Sequence, residues 1–230
     1  MTTVFIISAP SGSGKSTIVE ILRKLVEGLD FSVSYTTRPP RGSEQNRREY
    51  FFVPRPEFEA MVARGEFLEH ADVFGNYYGT ARRVLDEAQR KGNDLLLDID
   101  VQGAAQIQKS MPGAVSVFVL PPNHRKLEWR LRNRGTDSDQ VILRRLATAR
   151  REIENYKKYD YILVNDDLEK AVDEMKAIVL SERARRSGRS LTAEDQKNSE
   201  IAEAHRLHNM QDRIKPILDS FREAEDQEPD

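Results

Sequence analysis

The apolar run Val4-Phe5-Ile6-Ile7-Ser8 is cut off by a stretch of small residues, Ala9-Pro10-Ser11-Gly12-Ser13-Gly14, after which Lys15-Ser16-Thr17 opens an amphipathic pattern. The run predicts a buried strand. Ile18, Ile21, Leu22 and Leu25 share one face of a helix predicted from Lys15 to about Leu29. Small residues between a strand and a helix let backbone N–H groups close around phosphate oxygens, and the helix N-terminus favours negative charge. In a loop of this kind Lys15 reaches the β and γ phosphates of a nucleoside triphosphate. The Ser16 hydroxyl ligates the magnesium ion that bridges them, and Thr17 extends the cradle. The usual pattern has glycine at its first position where this chain has Ala9, a change that still permits close backbone approach if φ stays negative. The bland alternative is a tight strand-to-helix turn carrying a surface lysine.

Further short apolar runs, Leu95-Leu96-Leu97, Val115 to Leu120 and Tyr161 to Val164, alternate with helical stretches, as expected of an α/β fold whose parallel sheet is wrapped by helices. Between about residues 32 and 82 the rhythm changes to aromatic and Gly/Pro-punctuated segments, predicting an inserted β-rich lobe. A second insertion, about residues 121–145, is dense in arginine and reads as a lid; Thr136-Asp137-Ser138-Asp139 offers a capping box for the helix that follows. One domain is read over residues 3–184. Residues 185–230 are read as a polar, partly helical extension, in which Ile201, Ala204, Leu207, Met210, Ile214, Ile217 and Phe221 keep a helical spacing that Pro216 is expected to kink or end. Such a helix suits docking or homo-oligomer formation.

Several segments, taken together and in order, carry a family resemblance. Ser34-Tyr35-Thr36-Thr37-Arg38-Pro39-Pro40-Arg41-Gly42-Ser43-Glu44 is similar to the S-x-T-T-R-x-P-R-x-G-E segment of guanylate kinases, apart from a one-residue difference at its end. Tyr50-Phe51-Phe52-Val53, Gly75-Asn76-Tyr77-Tyr78-Gly79-Thr80, Leu97-Asp98-Ile99-Asp100-Val101-Gln102-Gly103 and Val164-Asn165-Asp166-Asp167 also resemble that family's motifs. The resemblance spans residues 3 to about 184. It implies the phosphate-loop NTPase fold, a parallel-sheet core with an inserted GMP-binding lobe and a lid, and transfer of a phosphoryl group from ATP to GMP with Mg²⁺.

By that resemblance Arg38, Arg41, Tyr50 and Tyr78 hold the GMP phosphate, for which planar guanidinium forks and phenolic hydroxyls are suited. Glu69 selects guanine by accepting from N1–H and the exocyclic amine, Ser34 and Thr80 add hydroxyl contacts, and Asp98 lies near GMP and the metal's water shell. The plain alternatives are a solvated loop arginine, aromatics of the core, a solvated helix glutamate and turn hydroxyls. Arg134 and Arg145 are expected to close over the transferring group beside Lys15 and Arg41, with Arg130, Arg132 and Arg144 ranked behind them, Arg130 first. Pro10 through Thr17 would hold the ATP phosphates, and Asn165 and Asp166 its adenine. Asp100 is read as a cap, Trp129 as lid packing, and His205 and His208 as surface residues.

Thirty-six basic against thirty-eight acidic residues give a net charge of −2, so nothing in the overall balance points to nucleic acid or a membrane surface. The absence of cysteine excludes disulfides and thiolate metal sites. With no apolar run long enough to span a bilayer, a cytoplasmic home is expected. The acceptor is expected to be GMP, with deoxy-GMP beside it. Two other functions share some of these features: a phosphate-loop kinase for another small acceptor, and a scaffold-type module that recognises a protein. The intact Gly14-Lys15-Ser16 argues against the second.

Overall fold

In the computed structural model, residues 2–133, 135 and 138–225 are described. They divide into two compact units, the described residues within 1–6 and 27–115, and those within 7–26 and 116–230. The main sheet has the order β2-β7-β1-β8-β9, with β1 at Val4–Ser8, β2 at Leu29–Phe31, β7 at Asp94–Asp98, β8 at Val115–Leu120 and β9 at Tyr161–Val164. β2 and β7 run parallel, as do β8 and β9. Every residue of β1, β8 and β9 is buried, which is why these strands read as unbroken apolar runs rather than as alternating ones.

The first unit carries the inserted lobe. Its four-stranded sheet has the order β4-β3-β6-β5, from Phe51–Phe52, Tyr35–Thr36, Asn76–Ala81 and Phe67–Val73. Phe58 and Met61 of helix α2 (Arg55–Ala63) meet Phe67 in a small core of their own, with Tyr35, Val53, Val62 and Tyr77 packed around it. Helix α3 (Arg82–Lys91) ends at Gly92, whose φ of 72° supplies the left-handed cap. Helix α4 (Val101–Ser110) begins at Asp100, whose carboxylate accepts from the Gln102 and Gly103 N–H groups, the capping expected of it. Gln106 then binds α4 to the edge of β5: its side chain donates to the His70 carbonyl at 2.7 Å and accepts from the His70 N–H at 3.2 Å.

In the second unit helix α1 covers Lys15–Leu25, shorter than predicted. Val26 is already extended, Gly28 turns the chain with φ 65°, and Leu29 belongs to β2. The unit also holds α5 (His124–Arg132), α6 (Asp139–Ile153), α7 (Leu168–Ser187), α8 (Ala193–Ala204) and α9 (Gln211–Glu225). Ser138 is the N-cap residue of α6, without a side-chain cap bond, so Asp139 stands at the first helical position instead of the third that a capping box requires. Thr136 and Asp137 lie outside the described residues.

The C-terminal segment departs most from expectation. Met210, Ile214, Ile217 and Phe221 are buried within the second unit. α9 continues through Pro216. A proline inside a helix costs roughly 3 kcal/mol; burying each large apolar side chain contributes about 1.5–3 kcal/mol, so the three flanking Pro216 outweigh it. His205 is buried against Glu174 at 3.2 Å, whereas His208 is exposed as expected. Trp129 is 58% exposed, under the Lys126 ammonium at 5.0 Å, so it does not pack the lid.

Candidate active site

The phosphate loop belongs to the second unit. Gly12 and Gly14 adopt φ of 95° and 86°, and the Ser13 N–H donates to the Pro10 carbonyl at 3.1 Å, closing the turn. Gly14 is the N-cap of α1, which has no side-chain cap and no acidic residue in its first turn. The N–H groups of Lys15, Ser16 and Thr17 therefore begin a helix whose positive end is not countered by its own sequence. The Ser13 hydroxyl is buried without a hydrogen-bond partner among the described residues. Pro10 is buried, Ser11 half-buried, and Ser16 and Thr17 exposed.

Two side chains hold this loop from behind. Asn165, just past β9, donates from Nδ2 to the Ser13 carbonyl at 2.7 Å. Arg130 of α5 donates to the same carbonyl at 3.2 Å and to the Asn165 carbonyl at 2.9 Å. Burial lowers the Arg130 pKa, and the Asp166 carboxylate offsets part of that. Leu127 and Leu131 stand 2.9 Å from where a Gly12 Cβ would be, and Asn165 Nδ2 stands 2.3 Å from where a Gly14 Cβ would be. Asn165 and Asp166 were expected near adenine; Asn165 gives its Nδ2 to the loop while its Oδ1 is buried without a hydrogen-bond partner among the described residues, and Asp166 is exposed. Arg145 is half-buried on α6, and Arg134 lies outside the described residues.

The second group of candidates gathers in the lobe and at the end of β7, in the first unit. Arg38, only 6% exposed, donates from both terminal nitrogens to Glu44 at 2.9 Å, from one of them to the Pro39 carbonyl at 2.8 Å, and from Nε to the Tyr78 hydroxyl at 3.2 Å. These four bonds leave one of the five guanidinium N–H groups. Arg38 therefore does not present the open two-pronged fork expected of it. Burial works against its charge, but Glu44 and Tyr78 outweigh that and raise its pKa. Burial likewise raises the Glu44 carboxyl, yet Arg38 and the Arg41 N–H, which donates to Glu44 at 2.8 Å, hold it below the ordinary value. The Arg41 side chain is exposed.

Tyr50 lies edge-on to Tyr78 at 5.9 Å, with the Arg38 guanidinium 5.4 Å from its ring. Burial and then the Asp98 charge push the Tyr50 hydroxyl up to about 12, so it remains a donor at neutral pH. Asp98 is the last residue of β7. Glu69 and Thr80 are register partners across β5 and β6, both buried. Glu69 thus sits on a strand inside the lobe, not on a solvated helix. The Thr80 hydroxyl has no hydrogen-bond partner among the described residues. A Cβ on Gly103 would fall 2.3 Å from a Glu69 carboxylate oxygen, so the missing side chain makes room for that carboxylate. Ser34 is half-buried, its carbonyl accepting from the Phe51 N–H at 2.9 Å.

The guanylate kinase family model matches residues 1–182. The chain belongs to the guanylate kinase family. It is 56% identical over 230 residues to the guanylate kinase of Koribacter versatilis, covering 99% of each chain. It is 49% identical over 187 residues to that of Escherichia coli, covering 80% of this chain and 90% of the relative. The crystal structure of guanylate kinase from Anaplasma phagocytophilum superimposes with a TM-score of 0.66 at 36% identity, over 80% of this chain and 86% of that one. Against this guanylate kinase background, sequence reading missed the clamp of Glu44 on Arg38, the space left by Gly103 and the grip of Gln106. Arg130, ranked behind Arg134 and Arg145 as a group over the transferring phosphoryl, is found holding the loop from behind. The Arg38–Glu44 spacing inside a family motif was the one available signal.

Proposed function

We propose that this chain catalyses ATP + GMP = ADP + GDP by direct phosphoryl transfer. The observation that carries this reading is the buried, cross-strand pair Glu69 and Thr80 on a chain that also opens an uncapped helix with Gly14-Lys15-Ser16. A buried carboxylate matches guanine, which offers two donors at N1–H and the exocyclic amine; adenine instead offers an acceptor at N1, which would face the carboxylate's own lone pairs. Setting an acceptor against a buried carboxylate is costly, which is the physical basis of the discrimination.

In the proposed reaction a GMP phosphate oxygen attacks the γ phosphorus in line, the bond from that phosphorus to the β–γ bridging oxygen breaks, and ADP departs with the electron pair. The backbone N–H groups of residues 12–17 and the Lys15 ammonium bind the donor phosphates. Arg41, Tyr50 and Tyr78 hold the acceptor phosphate, with Arg38 contributing its charge and one N–H. Arg134 and Arg145 neutralise the equatorial oxygens, and Asp166 lies on the adenine side. Ser34 adds a hydroxyl to the guanine contacts, and Asp98 stays near GMP. Catalysis then rests on alignment, charge neutralisation and exclusion of water.

The donor set suits Mg²⁺. Ser16 exposes a hydroxyl, a hard oxygen ligand, in the first turn of α1 next to the loop's N–H groups. Ser16 would hold the ion beside phosphate oxygens and water. When bound, Mg²⁺ supplies charge neutralisation across the β and γ phosphates. No helix among the described residues is long and apolar enough to cross a membrane; we place the activity in the cytoplasm and in purine nucleotide recycling, with deoxy-GMP as a second acceptor.

The test is steady-state transfer from Mg·ATP to GMP, AMP, UMP, CMP and dTMP, coupled to ADP formation. GMP-selective turnover is expected. Folded, ATP-binding protein that turns over no acceptor would instead be a protein-recognition module. A narrower expectation concerns Gly103. Gly103→Ala places a methyl group against the Glu69 carboxylate and should raise KM for GMP about tenfold while leaving KM for ATP unchanged, an overpacking cost of about 1–2 kcal/mol. Equal KM for GMP in both proteins would show that Glu69 yields freely.

A further inference from the structure

Residues beyond 182 lie outside the family match, yet they reach both elements that hold the phosphate loop. Those elements are α5, which contributes Arg130, Leu127 and Leu131, and the end of β9, which leads to Asn165. On β9, the Ile162 N–H donates to the His205 carbonyl at 2.8 Å and the Leu207 N–H donates to the Asp160 carbonyl at 3.1 Å, so the segment extends the sheet by one antiparallel bridge, Tyr161 to Arg206. A buried carboxylate fastens that bridge: Glu182 accepts from the Tyr161 hydroxyl at 2.6 Å and from Arg206 at 3.0 Å.

On α5, the His124 N–H donates to the Ser220 hydroxyl oxygen at 3.0 Å, and the buried Phe221 ring stands edge-on to the His124 ring at 5.2 Å. The N–H groups of a helix's first turn have no partner within the helix. Asn123 caps that of Lys126, and α9 caps that of His124. The start of α5 is thus fixed by the C-terminal helix, and the far end of the same short helix carries the groups that shape the loop.

We infer that the C-terminal segment braces the phosphate loop, with Phe221 and Ser220 of α9 as positioning residues that act on triphosphate binding through α5 and Arg130. The inference rests on the reading of the loop as the ATP site. A loop held from behind keeps its N–H groups aimed before the nucleotide arrives, which lowers the ordering cost of binding. Loosening α5 should therefore weaken ATP binding without touching the GMP lobe.

The experiment compares full-length wild type, Phe221→Ala, Phe221→Leu and Ser220→Ala by the Kd of a fluorescent ATP analogue, by KM for ATP and for GMP, and by Tm. Phe221→Ala is expected to raise Kd and KM for ATP about three- to tenfold, with KM for GMP within twofold. Phe221→Leu, which keeps most of the apolar volume, should restore most of the loss. Ser220→Ala, which removes one hydroxyl and is expected to fold, should raise Kd about two- to threefold. A lowered Tm with unchanged Kd for ATP, or equal rises for ATP and GMP, would overturn the brace. Wild type that binds the analogue but transfers nothing to GMP would overturn the proposed reaction, and the Kd comparison would still decide the brace.

Discussion

Replacing Glu69 by glutamine is expected to lower kcat/KM for GMP by about 10²–10⁴-fold while leaving KM for ATP unchanged. The expectation follows from two hydrogen bonds to a charged group, each worth about 1.5–3 kcal/mol. A glutamine offers one acceptor oxygen and turns an NH₂ donor toward guanine, which has donors of its own at both positions. Because Glu69 is buried opposite Thr80, solvent cannot rescue the mismatch. The substitution preserves shape, and so should leave the cluster of Phe58, Met61 and Phe67 and the Tm nearly as they were. Steady-state kinetics with GMP, IMP and AMP give the reading. IMP lacks the exocyclic amine, so the wild type should prefer GMP to IMP and the variant should lose that preference. An unchanged GMP rate would remove Glu69 from the selector role.

Gly14→Ala should cost about 10²-fold or more in kcat/KM for ATP, for two reasons that act together. At φ of 86° a residue with a Cβ is strained by roughly 1–3 kcal/mol. The new methyl group would also lie 2.3 Å from Asn165 Nδ2, so either the loop moves or Asn165 lets go of the Ser13 carbonyl. Loss of that bond frees the loop at the point where its N–H groups must converge on phosphate. The effect should fall on the ATP side alone: binding of GMP, measured by titration in the absence of ATP, should stay within twofold of wild type. Activity within threefold of wild type would mean that the loop tolerates this displacement, and the role given to its shape would be wrong.

These two substitutions mark different degrees of legibility. The loop could be read from the sequence because its conformation is set locally. A buried strand, a run of small residues and an amphipathic helix follow one another, and the positive φ at Gly12 and Gly14 explains why glycine stands there. Asp100 could likewise be read as a cap, since capping acts over three residues. Glu69 was reached only by family resemblance, because nothing in its neighbourhood announces a buried carboxylate. Its burial depends on strand pairing with Thr80 and on the absence of a side chain at Gly103.

What the sequence by itself determined was the α/β class, the phosphate loop with its helix, the β-rich lobe and the family. Each rests on periodicity, on turn chemistry or on ordered motifs. Tertiary structure decided the partners. Arg38 looked like an open phosphate fork until the loop geometry turned Glu44 onto it. Arg130 looked like one arginine among several until α5 carried it to the Ser13 carbonyl, 117 residues away in sequence. The C-terminal segment looked polar and interrupted by Pro216, yet Met210, Ile214, Ile217 and Phe221 are buried in the second unit. Local propensity can be read residue by residue, but burial and pairing between distant segments are settled only when the whole chain competes for apolar contact and hydrogen bonds.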